Sequence, residues 1–186
     1  MQDGFFEALT ARITSREPET RERRRAAVAV ILSERTEPKV LLIERPERKG
    51  DPWSGQIAFP GGKFQEGDAS AASTAAREAR EEVGIDLGAS AVFLGYLGAF
   101  RTHAGDMEVV PAVFLLKGAA EVTANEEAAS FMWVPLAKLS AAEAKSEHEV
   151  HFEGETRAVP AFKVGRYVVW GLTYRILVSL IGEAST

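Results

Sequence analysis

The fold is decided by residues 70 to 85, which read Ser70-Ala-Ala-Ser-Thr-Ala-Ala-Arg-Glu-Ala-Arg-Glu-Glu-Val-Gly-Ile85. Small and apolar side chains recur in this stretch at helical spacing, at Ala72, Ala76, Ala79 and Val83. Such a period is typical of a helix that packs one face against a core. Gly84 follows, where a left-handed residue commonly ends a helix. The stretch therefore predicts a helix over 70–83.

The end of this helix carries three carboxylates on one face, because Glu78, Glu81 and Glu82 are three and four residues apart. Like charges at these spacings repel by roughly 0.2–0.5 kcal/mol per pair, and the last turn of a helix disfavours negative charge further. Arg77 relieves only part of this repulsion. A hard divalent cation relieves it better, since Mg²⁺ seeks oxygen ligands and often shares them with substrate phosphates. The alternative, which the spacing alone favours, is an ordinary solvated face.

The segment before the helix shifts this balance. It is a turn rich in helix breakers, Phe59-Pro60-Gly61-Gly62-Lys63. Two successive glycines adopt backbone conformations that other residues avoid, and they let a ligand approach the chain closely. A carbonyl exposed there could ligate the same metal as the carboxylates.

Residues 62 to 85 resemble the Nudix box, Gly-x5-Glu-x7-Arg-Glu-U-x-Glu-Glu-x-Gly-U, in which U is aliphatic. The second half of the box matches at Arg77, Glu78, Glu81, Glu82, Gly84 and Ile85, with Ala79 at a U position. The first half is one residue longer than the box, and Asp68 stands near its first Glu. The same excess occurs in relatives that resemble coenzyme A pyrophosphatases.

Two upstream runs resemble the signature of that coenzyme A subgroup, Leu41-Leu-Ile-Glu-Arg45 and Ser54-Gly-Gln-Ile-Ala-Phe-Pro-Gly-Gly62. The loop between them departs from it, because it is one residue longer and lacks an Arg shortly before Ser54. Because both runs are otherwise present, coenzyme A or a derivative is the first candidate substrate. ADP-ribose, NADH and dinucleoside polyphosphates are alternatives, as is a Nudix-fold sensor that binds a nucleotide without cleaving it. An isomerase of isoprenoid diphosphates with the same fold is disfavoured, because the isomerase of this kind that resembles the family uses a cysteine and this chain has none.

The resemblance implies a mixed α+β fold, an α/β/α sandwich whose mainly antiparallel sheet packs against the box helix. It also implies Mg²⁺ or Mn²⁺ as cofactor and hydrolysis of a diphosphate linked to another moiety. Glu78 and Glu82 would be metal ligands, and Glu81 a ligand or the general base. The Gly61 carbonyl would complete a metal shell, and Arg77 would orient the glutamates.

A further carboxylate from a distant loop is common in the family. Glu127 is the first candidate here and Glu126 the second, because both lie just before Trp133-Val-Pro-Leu136. Asp106 and Glu108 are outside candidates, and ordinary loop charge is the alternative for all four.

Candidate substrate contacts flank the box. They are Arg45, Arg48, Lys49, Trp53, Gly62, Lys63, Arg101 and His103. The basic side chains could contact phosphate, although exposed basic residues usually have no specific role. Trp53 could stack on an adenine, with core packing as the alternative. Trp170 and Tyr174 are most simply core or dimer contacts.

Composition limits the partners. The chain has 186 residues, no cysteine and a net charge of -5, which argues against a nucleic-acid or anionic-membrane surface and excludes disulfides and thiol chemistry. The expected partner is a small nucleoside diphosphate derivative, with a monomer or a homodimer left open. No secretion signal or membrane span is evident, so a cytoplasmic location is expected.

The rest of the chain predicts a mixed α/β domain over 26–186 after an N-terminal helix and connector over 1–25. Expected strands are 26–32, 39–45, 91–100, 109–116 and 131–134, a hairpin is expected from 149–152 and 158–162, and helices from 5–13, 135–139 and 168–181. Strands and helices alternate too irregularly for a doubly wound parallel sheet.

Overall fold

The computed structural model describes residues 3–21, 24–33, 36–47, 49, 53–103, 107–123, 125–152 and 155–183. Two candidates named above, Arg48 and Asp106, lie outside the described residues. The whole segment from the glycine turn to the end of the predicted box helix lies within them.

A mixed sheet forms the centre of the fold. Within the described residues it has eight strands: β1 Arg24–Leu32, β2 Lys39–Glu44, β3 Ile57–Ala58, β4 Gly61–Lys63, β5 Ala91–Tyr96, β6 Phe100–Arg101, β7 Met107–Leu116 and β8 Ser130–Pro135. β1 runs parallel to β7, and the other strand pairs of the sheet are antiparallel. The expected mixed, mainly antiparallel sheet is confirmed.

β1 lies in the middle of the sheet, and its side chains are covered on both faces. This position suits its nearly continuous run of apolar residues. Ala29 and Ile31 pack into one half of the core, whereas Val30 and Leu32 pack into the other. All four are fully buried. The alternation divides the core into two layers, one on each side of the sheet.

Helices cover both faces of the sheet. They are α1 Asp3–Thr10, α2 Ala71–Val83, α3 Leu87–Ser90, α4 Leu136–Leu139 and α5 Gly171–Ile181. α2 packs into the layer of Ala29 and Ile31, while α1 and α5 pack into the opposite layer. The α/β/α order is confirmed. Among the described residues, no helix is both long and apolar enough to cross a bilayer.

The first and last long helices are joined at their ends. Phe6 and Leu9 of α1 share a core with Ile176 and Leu177 of α5. Arg12, just after α1, donates from Nη2 to the carbonyl of Leu180 at 2.9 Å. The domain division at residue 25 stays a prediction, although α1 packs into the same core as the sheet.

A second sheet corrects the predicted end of the chain. It consists of β9 Lys145–Phe152, β10 Glu155–Val164 and β11 Tyr167–Trp170. The predicted hairpin is confirmed and is longer than expected. The closing helix was predicted from residue 168, but 167–170 is a strand, because its aromatic and β-branched residues pair with β10. Gly171, with φ 65°, marks the change from strand to helix.

The single strand predicted over 91–100 is also wrong, because β5 ends at Tyr96 and β6 begins at Phe100. The pairing of β5 with β7 shifts register between Phe93 and Gly95. Tyr96 then exchanges two backbone hydrogen bonds with Thr14, of 2.8 and 2.9 Å. The N-terminal connector therefore pairs with the end of β5, while Leu97 donates its amide to the Pro111 carbonyl of β7 at 3.0 Å and β6 resumes the pairing with β7.

Candidate active site

α2 begins and ends as the sequence predicts. Ser70 caps its N-terminus in a capping box with Ser73, and Gly84 ends it in the left-handed region at φ 72°. Glu17 of the connector also accepts a hydrogen bond from the Ala71 amide, at 2.8 Å. Both ends of the helix are thus fixed by capping residues next to them in sequence, and the N-terminus is held by the connector as well.

The buried stripe of α2 is rotated from the predicted one. It consists of Ala71, Ala75, Ala79 and Val83, each 0% exposed. Ala72 and Ala76 flank this stripe and are partly buried. The rotation brings Glu78 and Glu82 against the sheet, where they are 8% and 5% exposed.

β4 lies close to these two carboxylates because it contains glycines. Ala29 donates its amide to the Pro60 carbonyl at 2.7 Å, and Phe64 donates to Arg25 at 3.2 Å. The intervening residues Gly61 and Lys63 belong to the non-hydrogen-bonded pairs with β1, so their own N–H and C=O groups point away from β1. Those groups face α2.

Two of the backbone groups on this edge of β4 bond side chains of α2. The Gly61 N–H donates to Glu82 Oε2 at 2.9 Å, and the Lys63 carbonyl accepts from Arg77 Nη2 at 3.1 Å. A Cβ on Gly61 would lie 2.5 Å from the Ala27 carbonyl oxygen, and one on Gly62 would overlap the Glu78 carboxylate. The two glycines are therefore needed for the close approach of strand and helix.

Burial, with smaller contributions from the charges of Glu78 and Glu127, raises the pKa of the Glu82 carboxyl to about 8. The Gly61 hydrogen bond and the charge of Arg45 lower it in part. Burial likewise raises the pKa of Glu78, against the hydrogen bond and charge of Arg77. Two adjacent buried carboxylates thus lack enough positive charge around them.

Arg77 connects the helix to the preceding loop. Its Nη1 donates to Glu78 at 2.8 Å and to Glu81 at 2.9 Å. Its Nε and Nη2 bond both oxygens of Asp68 at 3.3 and 3.1 Å. The Arg77 hydrogen bond lowers the pKa of Asp68 to about 2. Asp68 thus pairs with the box arginine from a loop one residue longer than the box.

The donor set fits a hard divalent cation. Two buried carboxylates, Glu78 and Glu82, stand beside a backbone edge that carries the Gly61 carbonyl, and all of these donors are oxygens. Glu81 is more exposed and is held by Arg77. As the described side chains stand, no three acidic or histidine residues are arranged to hold a metal.

The other acidic candidates lie in two different places, the loop before β8 and the start of β7. Glu127 is exposed, and its charge acts on both Glu78 and Glu82. Glu126 is exposed beside it. Glu108 is buried at the start of β7 and accepts from the Arg21 amide at 2.5 Å, which ties it to the connector.

Asn125, in the same loop, was not predicted from the sequence. It links α2 to the loop residue Glu127. Its side chain donates to the Glu81 carbonyl and accepts from the Glu127 amide. Asn in a loop commonly accepts a hydrogen bond from the backbone amide two residues later, and this turn preference is the one sequence signal that points to Asn125.

The candidate substrate contacts are spread over several elements. Arg45 follows β2, and its charge acts on Glu82. Lys63 is exposed at the end of β4, beside Arg24, Arg25 and Phe64 around a cavity of about 290 Å³. Trp53 is 49% exposed; core packing is therefore wrong for it.

The remaining candidates lie on other parts of the surface. Arg101 is exposed in β6, where its carbonyl accepts from Arg175, and His103 is exposed in the loop after it. Lys49 is exposed in the loop after β2. Trp170 packs its ring on His148 and Tyr174 on the buried Phe162, which makes Tyr174 a core contact.

Comparison with known proteins identifies relatives over most of the chain. A family model described as the NUDIX domain matches residues 22–153. A protein of Yersinia pestis named "Uncharacterized Nudix hydrolase NudL" is 36% identical over 165 residues, covering 87% of this chain and 80% of the relative. The protein of the same name from Yersinia pseudotuberculosis has the same identity and coverage.

Solved structures share the fold. A MutT/nudix family protein from Enterococcus faecalis superposes with a TM-score of 0.58 at 18% identity, covering 97% of this chain and 68% of that one. A C. elegans Ap4A hydrolase binary complex superposes with a TM-score of 0.50 at 20% identity, covering 60% and 80%. At these identities the likeness supports the fold.

Proposed function

We propose that this chain, which belongs to the Nudix hydrolase family, is a divalent-metal-dependent pyrophosphohydrolase that cleaves a nucleoside diphosphate linked to another moiety. The observation that carries the proposal is the buried pair Glu78 and Glu82 facing the glycine edge of β4. Burying two neighbouring carboxylates is costly unless a cation compensates them. A Mg²⁺ or Mn²⁺ ion provides that compensation.

Glu78, Glu82 and the Gly61 carbonyl would hold the ion, with Glu127 approaching from the loop before β8. When bound, such an ion neutralises phosphate charge and lowers the pKa of a bound water. Glu78 and Glu82 are fixed by packing against the sheet, so they are preorganised for this role. Gly61 would contribute its backbone carbonyl, which lies on the edge of β4 that faces α2.

Glu81 is the proposed general base, or a further ligand. It is the most exposed of the three helix carboxylates, and its side chain is 46% exposed, so it can reach a water on the solvent side. Arg77 bonds Glu78 and Glu81 together and orients them without needing to touch substrate. A carboxylate within hydrogen-bond reach of the attacking water can take its proton.

Coenzyme A or a derivative is the proposed substrate, cleaved by water to adenosine 3′,5′-bisphosphate and a phosphopantetheine. The support is the pair of upstream runs around Arg45 and the glycine turn, together with the location of Arg45 near Glu82. Arg45 and Lys63 would contact phosphates at the mouth of the site. Trp53 is exposed on the adjoining loop and offers a ring for adenine.

The test is a substrate panel with pure protein and Mn²⁺ or Mg²⁺, comprising coenzyme A, ADP-ribose, NADH and dinucleoside polyphosphates. Phosphopantetheine release from coenzyme A is the expected result. Preferred turnover of another member would replace the substrate and keep the reaction class. Binding of a nucleotide without turnover of any member, with metal present, would favour a sensor and contradict the enzymatic proposal.

A further inference from the structure

We propose that Asn125 is a positioning residue that holds Glu127 at the carboxylate end of α2. The inference rests on the proposed function, because Glu127 has this role only if the site binds a cation. Asn125 itself touches neither the ion nor the substrate in this proposal. It acts through the loop that carries Glu127.

The Asn125 side chain makes two hydrogen bonds in opposite directions. Its Nδ2 donates to the backbone carbonyl of Glu81. Its Oδ1 accepts from the amide of Glu127 at 2.8 Å. A side-chain amide is suited to this link because it carries donors and an acceptor in one plane. One residue therefore joins the loop to the helix that bears the other carboxylates.

The helix end supplies a reason for this contact. The last carbonyls of a helix have no partner within it, and Glu81 lies in the last turn of α2. Thr123 donates its amide to another of these carbonyls, that of Val83, at 3.0 Å. The loop thus binds α2 at two adjacent points.

The other side of the loop is fixed to the sheet. Ala128 is 1% exposed and belongs to the core layer beneath α2. Ala129 donates its amide to the Glu44 carbonyl at the end of β2, at 2.9 Å. Glu127 lies between the contact of Asn125 with α2 and the contacts of Ala128 and Ala129 with the sheet. It is exposed, and its charge acts on Glu78 and Glu82.

Removing the Asn125 link would release one side of this short segment. Residues that orient a metal ligand without touching the ion typically change metal affinity by about 10–100-fold when they are altered. Because Asn125 acts through Glu127, its removal should cost nothing further once the Glu127 carboxylate is gone. This dependence separates positioning from a general effect on folding.

The experiment is Mn²⁺ titration by calorimetry, without substrate, on the wild type and on Asn125→Ala, Glu127→Gln and the double variant. Each single variant is expected to bind Mn²⁺ about tenfold more weakly, and the double variant no more weakly than Glu127→Gln alone. Glu121→Gln, which removes an exposed carboxylate earlier in the same connection, is the matched control and should stay within about threefold of the wild type. Amide exchange at residues 126–129 should quicken in Asn125→Ala and not in Glu127→Gln.

Fully additive losses in the double variant, or wild-type affinity in Asn125→Ala, would overturn the inference. If Asn125→Ala fails to fold, Asn125→Asp takes its place, because it keeps the acceptor but has no donor for Glu81; weaker binding despite the added charge is then expected. Weaker binding in Glu82→Gln but not in Glu127→Gln would refute this inference and leave the proposed function standing. No binding to the wild type, even with a diphosphate compound present, would contradict both.

Discussion

Glu82 is only 5% exposed and lies beside Glu78. Burying a charged carboxylate next to another one is costly unless a cation binds both, so we expect Glu82 to be a metal ligand. We predict that Glu82→Gln lowers kcat by 100-fold or more, on the order of 3 kcal/mol of barrier, with the fold unchanged by circular dichroism. Gln keeps the size of the side chain and an oxygen for the Gly61 amide. A loss of less than tenfold would contradict the assigned role.

Arg77 is expected to matter through geometry as much as charge, because its guanidinium bonds Asp68, Glu78, Glu81 and the Lys63 carbonyl together. Arg77→Lys keeps the charge but cannot make this planar set of bonds. We predict a fall in kcat of about 10–100-fold. Arg80→Lys, on the exposed side of the same helix, is the matched control and should be silent in steady-state assays.

At the scale of elements, the closest approach in the site is between β4 and its neighbours. Gly61→Ala would place a methyl 2.5 Å from the Ala27 carbonyl oxygen, so β4 must move away from β1. We predict a loss of about 1–3 kcal/mol in the free energy of unfolding, together with weaker Mn²⁺ binding. Gly118→Ala, where an added Cβ meets nothing within 4 Å, should change neither chemical denaturation nor metal binding.

The sequence predicted elements whose pattern is local. The helical period and its cap residues predicted α2, and apolar runs predicted β1, β2, β7 and β8. The short strands β3, β4 and β6 carry little pattern of their own and exist because neighbours pair with them. The pattern predicts a helix from residue 168, although 167–170 is a strand, because the apolar residues of that strand also continue the period of α5. Periodicity does not separate these two structures in short apolar runs.

The candidate site divides in the same way. Glu78, Glu81 and Glu82 share one helix, so spacing alone placed them together. Their unequal exposure could not be predicted, because it depends on how α2 is rotated against the sheet. The contacts of Asn125 depend on a loop folding back onto α2, more than forty residues away in sequence.

For the whole molecule, the buried carboxylates link stability to pH and to metal. The pKa of Glu82 is raised from 4.5 to about 8, so the folded state retains its proton where the unfolded state has lost it. The stability that this proton provides is fully present below about pH 4.5 and is lost as pH rises to 8. Asp68 has the opposite effect, because its pKa is lowered to about 2 in the folded state. The stability that its ionised form provides is present above about pH 4 and is lost as pH falls from there to about 2.

We therefore predict that the Tm of the metal-free protein falls between pH 5 and pH 8, and that Mg²⁺ or Mn²⁺ raises it most at pH 8. In Glu82→Gln the fall should be smaller, and at pH 8 the metal-free variant should exceed the wild type by at least about 1 kcal/mol, or roughly 2–4 °C. Thermal denaturation across the pH range with a chelator measures both. Equal slopes for variant and wild type would rule out Glu82 as the source.

The bond between Arg12 and the Leu180 carbonyl keeps α1 and α5 together on the side of the sheet opposite α2. The helices nearest the two chain ends therefore share one face, and α2 with the candidate active site lies on the reverse face. A fluorophore or an immobilisation handle attached beside either helix would leave that reverse face open to solution. Surface-tethered preparations oriented in this way should retain the turnover of the free protein.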